Sequence, residues 1–239
     1  MGNPELSVVI PFYNEEGNVF VVINSLLEAL GSIDFEILAL DNGSTDRTGI
    51  ILDKIKDKRI RVFHIKVNEG YGNGIIECLK HAKGGIVGYM WGDNEIPSHT
   101  LVDVYNKLKD ENLDVCKIYR DQRGYQFMRR LQSEIYNKIV LQILFGSLPS
   151  DINGCPRLMR REVYDRINLV SRDDFIDTEI VLKAKGFGFR IGGVHAKYYK
   201  RSYGKSKLGF HKFLFFLRNM INYKLRRERF NVNQINNTE

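Results

Sequence analysis

Four apolar runs, each followed closely by an amphipathic stretch, organise residues 6–93 and leave few folds open. LSVVIPFY (6–13), FEILALD (35–41), RIRVFHIKV (59–67) and IVGYMWGD (86–93) read as strands. VFVVINSLLEAL (19–30), residues 46–56 and GNGIIECLKHAKG (72–84) read as the helices between and after them. Strands alternating with helices over short connections predict βαβ units, hence an α/β fold with a mostly parallel central sheet flanked by helices. Ligands on such sheets bind at the carboxyl ends of the strands. The polar clusters fall at those ends, at 11–15, 41–46, 68–74 and 93–95. A binding site is therefore expected along that edge on physical grounds alone.

The second half is less regular. A helix is expected over 102–113, a strand over 114–120 and a long helix over 127–146, apolar on one side and basic at its start. SLPSDINGCPRLMR (147–160) reads as a loop, followed by a helix near 178–186 and a strand over 189–199. No repeat or low-complexity linker divides the 239 residues, which suit one large α/β domain over 1–209 with a separate basic segment over 210–239. Cys78, Cys116 and Cys155 are far apart in sequence and suggest neither disulfides nor a zinc site. The N-terminus lacks the basic and apolar regions of a secretory signal, and Leu6 stands where a myristoylation motif wants Ser or Thr. With no apolar stretch approaching ~18 residues, the expectation is a cytoplasmic protein.

Charge is unevenly spread. Residues 197–229 hold eleven Lys or Arg against Glu228, a local balance of +10, so a chain of net +7 has −3 elsewhere. A basic end on a mildly acidic body implies an anionic partner, and phospholipid headgroups or a phosphorylated substrate fit better than nucleic acid, for which no binding signature is present. Within 210–230, Phe213, Phe216, Leu217, Met220 and Ile221 recur at helical spacing among basic residues, the pattern of an interfacial helix on anionic lipid. A helix packed on the sheet or on a second subunit has the same pattern.

Asp41 closes a strand and enters NGSTD, where a carboxylate can accept hydrogen bonds from a base or ribose; Ser44 or Asp46 would cap the next helix. NEGYGNG (68–74) sets Gly70 and Gly72 before a helix, which permits close backbone approach to a phosphate. In WGDNE (91–95), Asp93 and Glu95 share a face if extended, and two hard oxygen ligands beside substrate phosphates suit Mg2+ or Mn2+. A solvated acidic turn is the plain alternative.

VVIPFYNEE, LALDNGSTDRTG, NEGYGNG, the acidic cluster after the fourth strand, DINGCPRLMRREV and RSYGKSKLG occur in the order seen in family-2 glycosyltransferases of the dolichyl-phosphate mannose synthase and polyprenyl-phosphate glucosyltransferase type. The chain resembles these from about Leu6 to Gly209. The resemblance implies the GT-A fold, a Rossmann-like nucleotide-sugar domain, and an inverting, metal-assisted transfer of a hexose from a GDP- or UDP-sugar to a polyprenyl phosphate. It places Pro11, Tyr13, Glu15 and Asp41 around the nucleoside, and Asp93 at the last position of Asp-x-Asp. Glu95 falls where relatives have a metal-ligating Gln. Arg129 and Ser133 match residues near the lipid phosphate, Arg120 the Arg ending the preceding strand, and Arg201 and Lys207 the segment that closes over the diphosphate.

Two positions depart from the pattern. Trp91 replaces the first Asp of Asp-x-Asp, so either Glu95 restores the charge or metal binding is weakened; the first is favoured because Glu adds the charge a Gln lacks. GCPR (154–157) stands where the mannose synthases tend to have Ser-Gly-Phe-Arg, which bears on the acceptor pocket. A lipid phosphate is already ionised and needs no base, leaving positioning to Arg129 and Arg120. A sugar-hydroxyl acceptor would need one, with Asp177 and Glu179 as candidates. A catalytically silent nucleotide-sugar-binding subunit, serving a membrane-protein partner, is the reading Trp91 keeps open. The expected location is the cytosolic face of a membrane, without crossing it.

Overall fold

The computed structural model describes residues 2–121, 149 and 151–197. Among them, seven strands form one sheet: β1 (Leu6–Phe12), β2 (Phe35–Asn42), β3 (Ile60–Ile65), β4 (Ile86–Tyr89), β5 (Val115–Asp121), β6 (Arg157–Arg160) and β7 (Ile191–Lys197). The helices are α1 (Val19–Ala29), α2 (Thr48–Asp53), α3 (Tyr71–Leu79), α4 (His99–Asp110), α5 (Arg161–Ile167) and α6 (Ile176–Gly186). Strand order is β3-β2-β1-β4-β6-β5-β7, parallel throughout except where β6 runs antiparallel between β4 and β5.

Strict alternation along the central strands explains the two-sided core. Leu6, Val8, Ile10 and Phe12 of β1, with Phe35, Ile37 and Ala39 of β2, face α1, α2 and α4. Val9, Leu38 and Leu40 face α3, α5 and α6. All eight residues of β2 are buried, as a central parallel strand requires. The order reverses at β1, whose chain goes first to β2 on one side and later to β4 on the other. The carboxyl ends of β1, β2 and β4 thus open onto a topological switch point.

The sequence expectation of a mostly parallel sheet flanked by helices holds. The segment 147–160 is the exception: its last four residues form β6, and α5 follows at once. Its arginines gave the segment a loop's polarity, yet Arg157 is fully buried, next to Leu158 and Met159 in the two cores. β4 is shorter than the apolar run 86–93, because after Tyr89 the chain keeps only scattered bonds to β1, Met90 N–H to the Val9 carbonyl (3.0 Å) and Gly92 N–H to that of Pro11 (3.3 Å). The long helix expected over 127–146 and the segment 210–230 lie outside the described residues.

At the opposite edge a buried polar link ties three elements together. The Ser7 hydroxyl donates to Glu36 Oε1 (2.7 Å), which also accepts Lys83 N–H (2.8 Å), while Arg61 Nη1 donates to Oε2 (3.0 Å). Burial alone would raise the Glu36 pKa; these donors outweigh it and hold the carboxyl below its ordinary value. A depressed pKa adds stability above the ordinary carboxylate range, lost as pH falls through the folded-state value. Glu36→Gln is therefore expected to lower unfolding free energy by about 1–3 kcal/mol at neutral pH, with the gap closing in urea titrations at stepped acidic pH.

Candidate active site

The loops after β1 and β2 are fastened to each other by side chains that satisfy the neighbour's backbone. Asn14 N–H donates to Ser44 Oγ (3.0 Å), and Asn14 Oδ1 accepts Thr45 N–H (2.8 Å). Glu15 N–H donates to Thr48 Oγ1 (2.9 Å), Glu16 N–H to Asp46 Oδ2 (3.2 Å), and Glu16 Oε2 accepts Arg47 N–H (3.1 Å). Asn14 has φ +56° and Gly43 φ +76°, so both turns use the left-handed region that Asn and Gly tolerate. Asp46 also accepts Thr48 N–H (2.9 Å) at the start of α2, while Ser44 faces the other loop.

This sets Phe12 opposite Asp41 in register, with Pro11 and Tyr13 on either side of it along the β1 end and its loop. Asp41 is 8% exposed; Oδ1 accepts Ser44 N–H (3.0 Å) and Oδ2 lies 3.3 Å from His64 Nδ1. The Glu15 carboxylate accepts from Asn18 Nδ2 at 2.5 Å, and the same amide lies 3.5 Å from the Asp93 carbonyl. Asn18 thus links the β1 loop to the acidic turn after β4. Sequence reasoning missed it, although a polar residue just ahead of a helix is a visible signal.

Asp93 and Glu95 are both buried, at 7% and 6% exposure, and Asp93 Oδ1 accepts Glu95 N–H at 3.1 Å. Asn94, at φ +58°, makes the tight turn between them. Among the described residues no group of three or more His, Cys, Asp or Glu is placed to hold a metal ion. Two buried carboxylates fit a hard cation only if a ligand such as a diphosphate supplies further oxygens. Trp91 is turned away from that role: its Nε1–H donates to the Tyr71 hydroxyl (2.6 Å), and the Arg120 guanidinium lies 5.8 Å from its ring centre.

Behind this wall is a charged network that the sequence did not reveal. Arg120 is gripped by Asp151, which accepts its backbone N–H (2.6 Å) and, in fork geometry, its guanidinium (Nη2–Oδ1 2.6 Å, Nε–Oδ2 3.0 Å). Lys117, fully buried, donates to the Asp151 carbonyl (2.8 Å), and burial first, then the charge of Arg157, brings its pKa down to about 7. Arg157 donates to the carbonyls of Asp177 (2.5 Å), Ile152 (2.6 Å) and Gly154 (3.2 Å). Tyr89, Arg157 and Lys117 are register partners across β4, β6 and β5.

Three expectations change. Gly70 and Gly72 do make a close backbone approach, but to this chain's own segment 171–173. A Cβ on Gly72 would lie 2.4 Å from the Ser171 carbonyl oxygen and 2.6 Å from that of Asp173; one on Gly70 would lie 2.4 Å from that of Arg172. Glu179, expected as a candidate base, is fully buried, accepts Val170 N–H (3.1 Å) and Ser171 N–H (2.7 Å), and pairs with Lys183 Nζ (2.7 Å). It anchors that same segment. Asp177, the other candidate base, is buried against the Tyr89 hydroxyl (2.5 Å) and Arg157 (3.4 Å); burial raises its pKa, and Arg157 opposes the shift. Arg129, Ser133, Arg201 and Lys207 lie outside the described residues.

The model of Glycosyl transferase family 2 matches residues 7–167, most of the chain and the whole of the switch-point edge. The chain belongs to this family. Similar proteins include the undecaprenyl-phosphate 4-deoxy-4-formamido-L-arabinose transferases of Edwardsiella ictaluri (strain 93-146), 28% identical over 87% of this chain and 64% of that protein, and of Enterobacter sp. (strain 638), 27% identical over 86% and 63%. The chain thus spans less than two thirds of the length of these relatives. Among solved structures, glucosyl-3-phosphoglycerate synthase from Mycobacterium tuberculosis, crystallised with Mn2+, UDP and phosphoglyceric acid, superposes with a TM-score of 0.70 at 21% identity, covering 95% of this chain and 79% of that one. S. aureus TarS 1-349 with UDP-GlcNAc gives 0.56 at 21% identity over 91% and 66%. The fold of this chain is therefore the GT-A fold that its motifs imply.

The glycines provide a direct check on the site's construction. Gly72→Ala is expected to cost about 2 kcal/mol in chemical denaturation, because both obstructing atoms are backbone. A glycine needed only for ligand approach would leave stability unchanged.

Proposed function

We propose that this glycosyltransferase moves a hexose from a nucleoside-diphosphate sugar to polyprenyl phosphate, with inversion. The observation that carries the reading is the convergence of the β1, β2 and β4 loops, with Asp41, Asp93 and Glu95, at the point where strand order reverses. Pro11, Tyr13 and Asp41 would receive the nucleoside, with Glu15 holding the β1 loop through Asn18. Asp93 and Glu95 would hold Mg2+ or Mn2+ together with the diphosphate. Such an ion, when bound, offsets the charge growing on the leaving group.

The acceptor half of the proposal draws on the relatives named for transfer to undecaprenyl phosphate. A phosphate monoester is anionic at neutral pH, so positioning replaces proton abstraction as the protein's task. Arg120, oriented by Asp151 beside Trp91, would face it, with Arg129 and Ser133 as further expected contacts and Arg201 and Lys207 over the diphosphate. Engagement of Asp177 and Glu179 in buried networks favours this acceptor over a sugar hydroxyl. No helix among the described residues is long and apolar enough to cross a membrane. Attachment to an anionic bilayer surface through the basic, aromatic segment 210–230 would bring the site to a lipid acceptor.

Nucleoside diphosphate release from a panel of GDP- and UDP-hexoses, with and without undecaprenyl phosphate and Mn2+, tests the whole reading. Turnover is expected only when donor, lipid phosphate and metal are all present. Asp93→Asn, which keeps an acceptor for Glu95 N–H, is expected to lower turnover by about 100-fold or more without shifting the melting temperature. Nucleotide binding without turnover under any combination would favour a silent binding subunit. Removal of 210–239 is expected to reduce co-sedimentation with vesicles containing phosphatidylglycerol, and equal sedimentation of both forms would remove the membrane part of the proposal.

A further inference from the structure

His64, on β3, stands with one ring nitrogen at each of two carboxylates. Nδ1 is 3.3 Å from Asp41 Oδ2, and Nε2 is 3.0 Å from Asp53 Oδ1 on α2. A neutral imidazole has one N–H and one lone pair, so it can donate to only one of these and must point its lone pair at the other. Only the imidazolium satisfies both at once. We propose that His64, charged and braced by Asp53, is a positioning residue that fixes the Asp41 carboxylate for the nucleoside of the donor. The inference rests on the reading of Asp41 given above.

The surroundings support this assignment. Asp41 Oδ1 is fixed by Ser44 N–H and Oδ2 by the ring, which leaves each oxygen a second lone pair for a ligand donor. Gly49 lets α2 approach: a Cβ there would lie 2.5 Å from Asp41 Oδ2 and 3.5 Å from His64 Cε1. The charged groups facing the ring are Asp41 from β2 and Asp53 from α2. On β3 itself, Arg61 lies on the opposite face, paired with Glu36. Partial burial of His64 opposes its charge, but the two carboxylates outweigh burial and raise its pKa.

The sign follows. A raised pKa means the imidazolium, and with it the bracing of Asp41, is complete below the ordinary histidine value and is lost as pH rises through the folded value. Above it, the one remaining N–H is shared between Asp41 and Asp53, so the ring no longer braces both carboxylates and its hold on Asp41 is weakened.

The experiment is calorimetric binding of UDP and GDP to the full chain across mildly acidic to mildly alkaline pH, with wild type, His64→Gln and Asp53→Asn. Dividing each variant's Kd by the wild-type value cancels titration of the nucleotide itself. The expected result is about threefold to tenfold weaker binding by both variants at the acidic end, converging with wild type above the His64 titration. Asp53, with its side chain 63% exposed, is outside the nucleotide site, so its substitution tests the relay without touching Asp41. NMR titration of the His64 ring should show its pKa falling in Asp53→Asn while the melting temperature holds. A variant-to-wild-type Kd ratio of one, or one independent of pH, overturns the proposal, as does an unmoved His64 titration. Failure of wild type to bind either nucleotide removes the reading of Asp41 and this proposal together, whereas binding that responds to His64 without any sugar transfer sustains it and overturns only the proposed reaction.

Discussion

The reciprocal hydrogen bonding of the β1 and β2 loops is the constraint on which the site depends. Parallel strands end together, so their following loops leave the sheet side by side with backbone N–H groups unpaired. Here Asn14, Glu16, Ser44, Asp46 and Thr48 each satisfy a backbone group of the opposite loop, and no ligand is needed to hold the pair closed. Polar side chains with an accepting oxygen are required at these positions because each must reach one specific amide across a narrow gap. The result is a stiff rim that delivers Tyr13 and Asp41 to the switch point in fixed register.

The antiparallel part of the sheet solves a different problem by a costlier route. The 151–154 turn has Asp151 at φ +47°, and its carbonyls point inward, where water cannot reach them. Two fully buried cations, Lys117 and Arg157, supply the missing donors. Burying a charge is unfavourable unless it is paired and hydrogen-bonded. Lys117 shows the cost in its lowered pKa, and among the described residues Arg157 Nε has no partner. What the arrangement secures is orientation: Asp151 is locked, and through it Arg120.

Legibility in the sequence follows this division. The parallel half could be read because its signals are local: apolar runs fix strands, and polar clusters mark their ends. Asp41, Asp93 and Glu95 were placed at the switch-point edge by that reasoning alone. β6 could not be read, since its identity depends on partners β4 and β5 and on counter-charges distant in sequence; arginine in a four-residue strand looks like loop. The glycines of NEGYGNG failed for a related reason. Their spacing signals a close backbone approach but not to what, and the answer, segment 171–173, is about a hundred residues away. Glu179 likewise reads as an acidic helix start, and only the fold shows that its carboxylate is occupied by the Val170 and Ser171 amides.

Trp91 is where the two halves meet, and its placement bears on why an indole can stand where the family resemblance leads one to expect a carboxylate. Tyr71, at the start of α3, accepts the indole N–H, while Arg120, locked by Asp151, covers the ring. A carboxylate at this position would stand in the neighbourhood of the Tyr71 hydroxyl and the Arg120 charge. The indole instead uses the same two groups as a donor and a π face, leaving Arg120 its charge. On the family resemblance, neutral Trp91 takes one negative charge from the turn and Glu95 returns one, across the tight Asn94 turn from Asp93. The total charge expected of the turn is thereby conserved while its position moves along the chain. In the reaction proposed above, Asp93 and Glu95 would hold the cation that serves the donor and Arg120, locked by Asp151, would be left for the acceptor, two positive charges whose mutual repulsion falls with their separation.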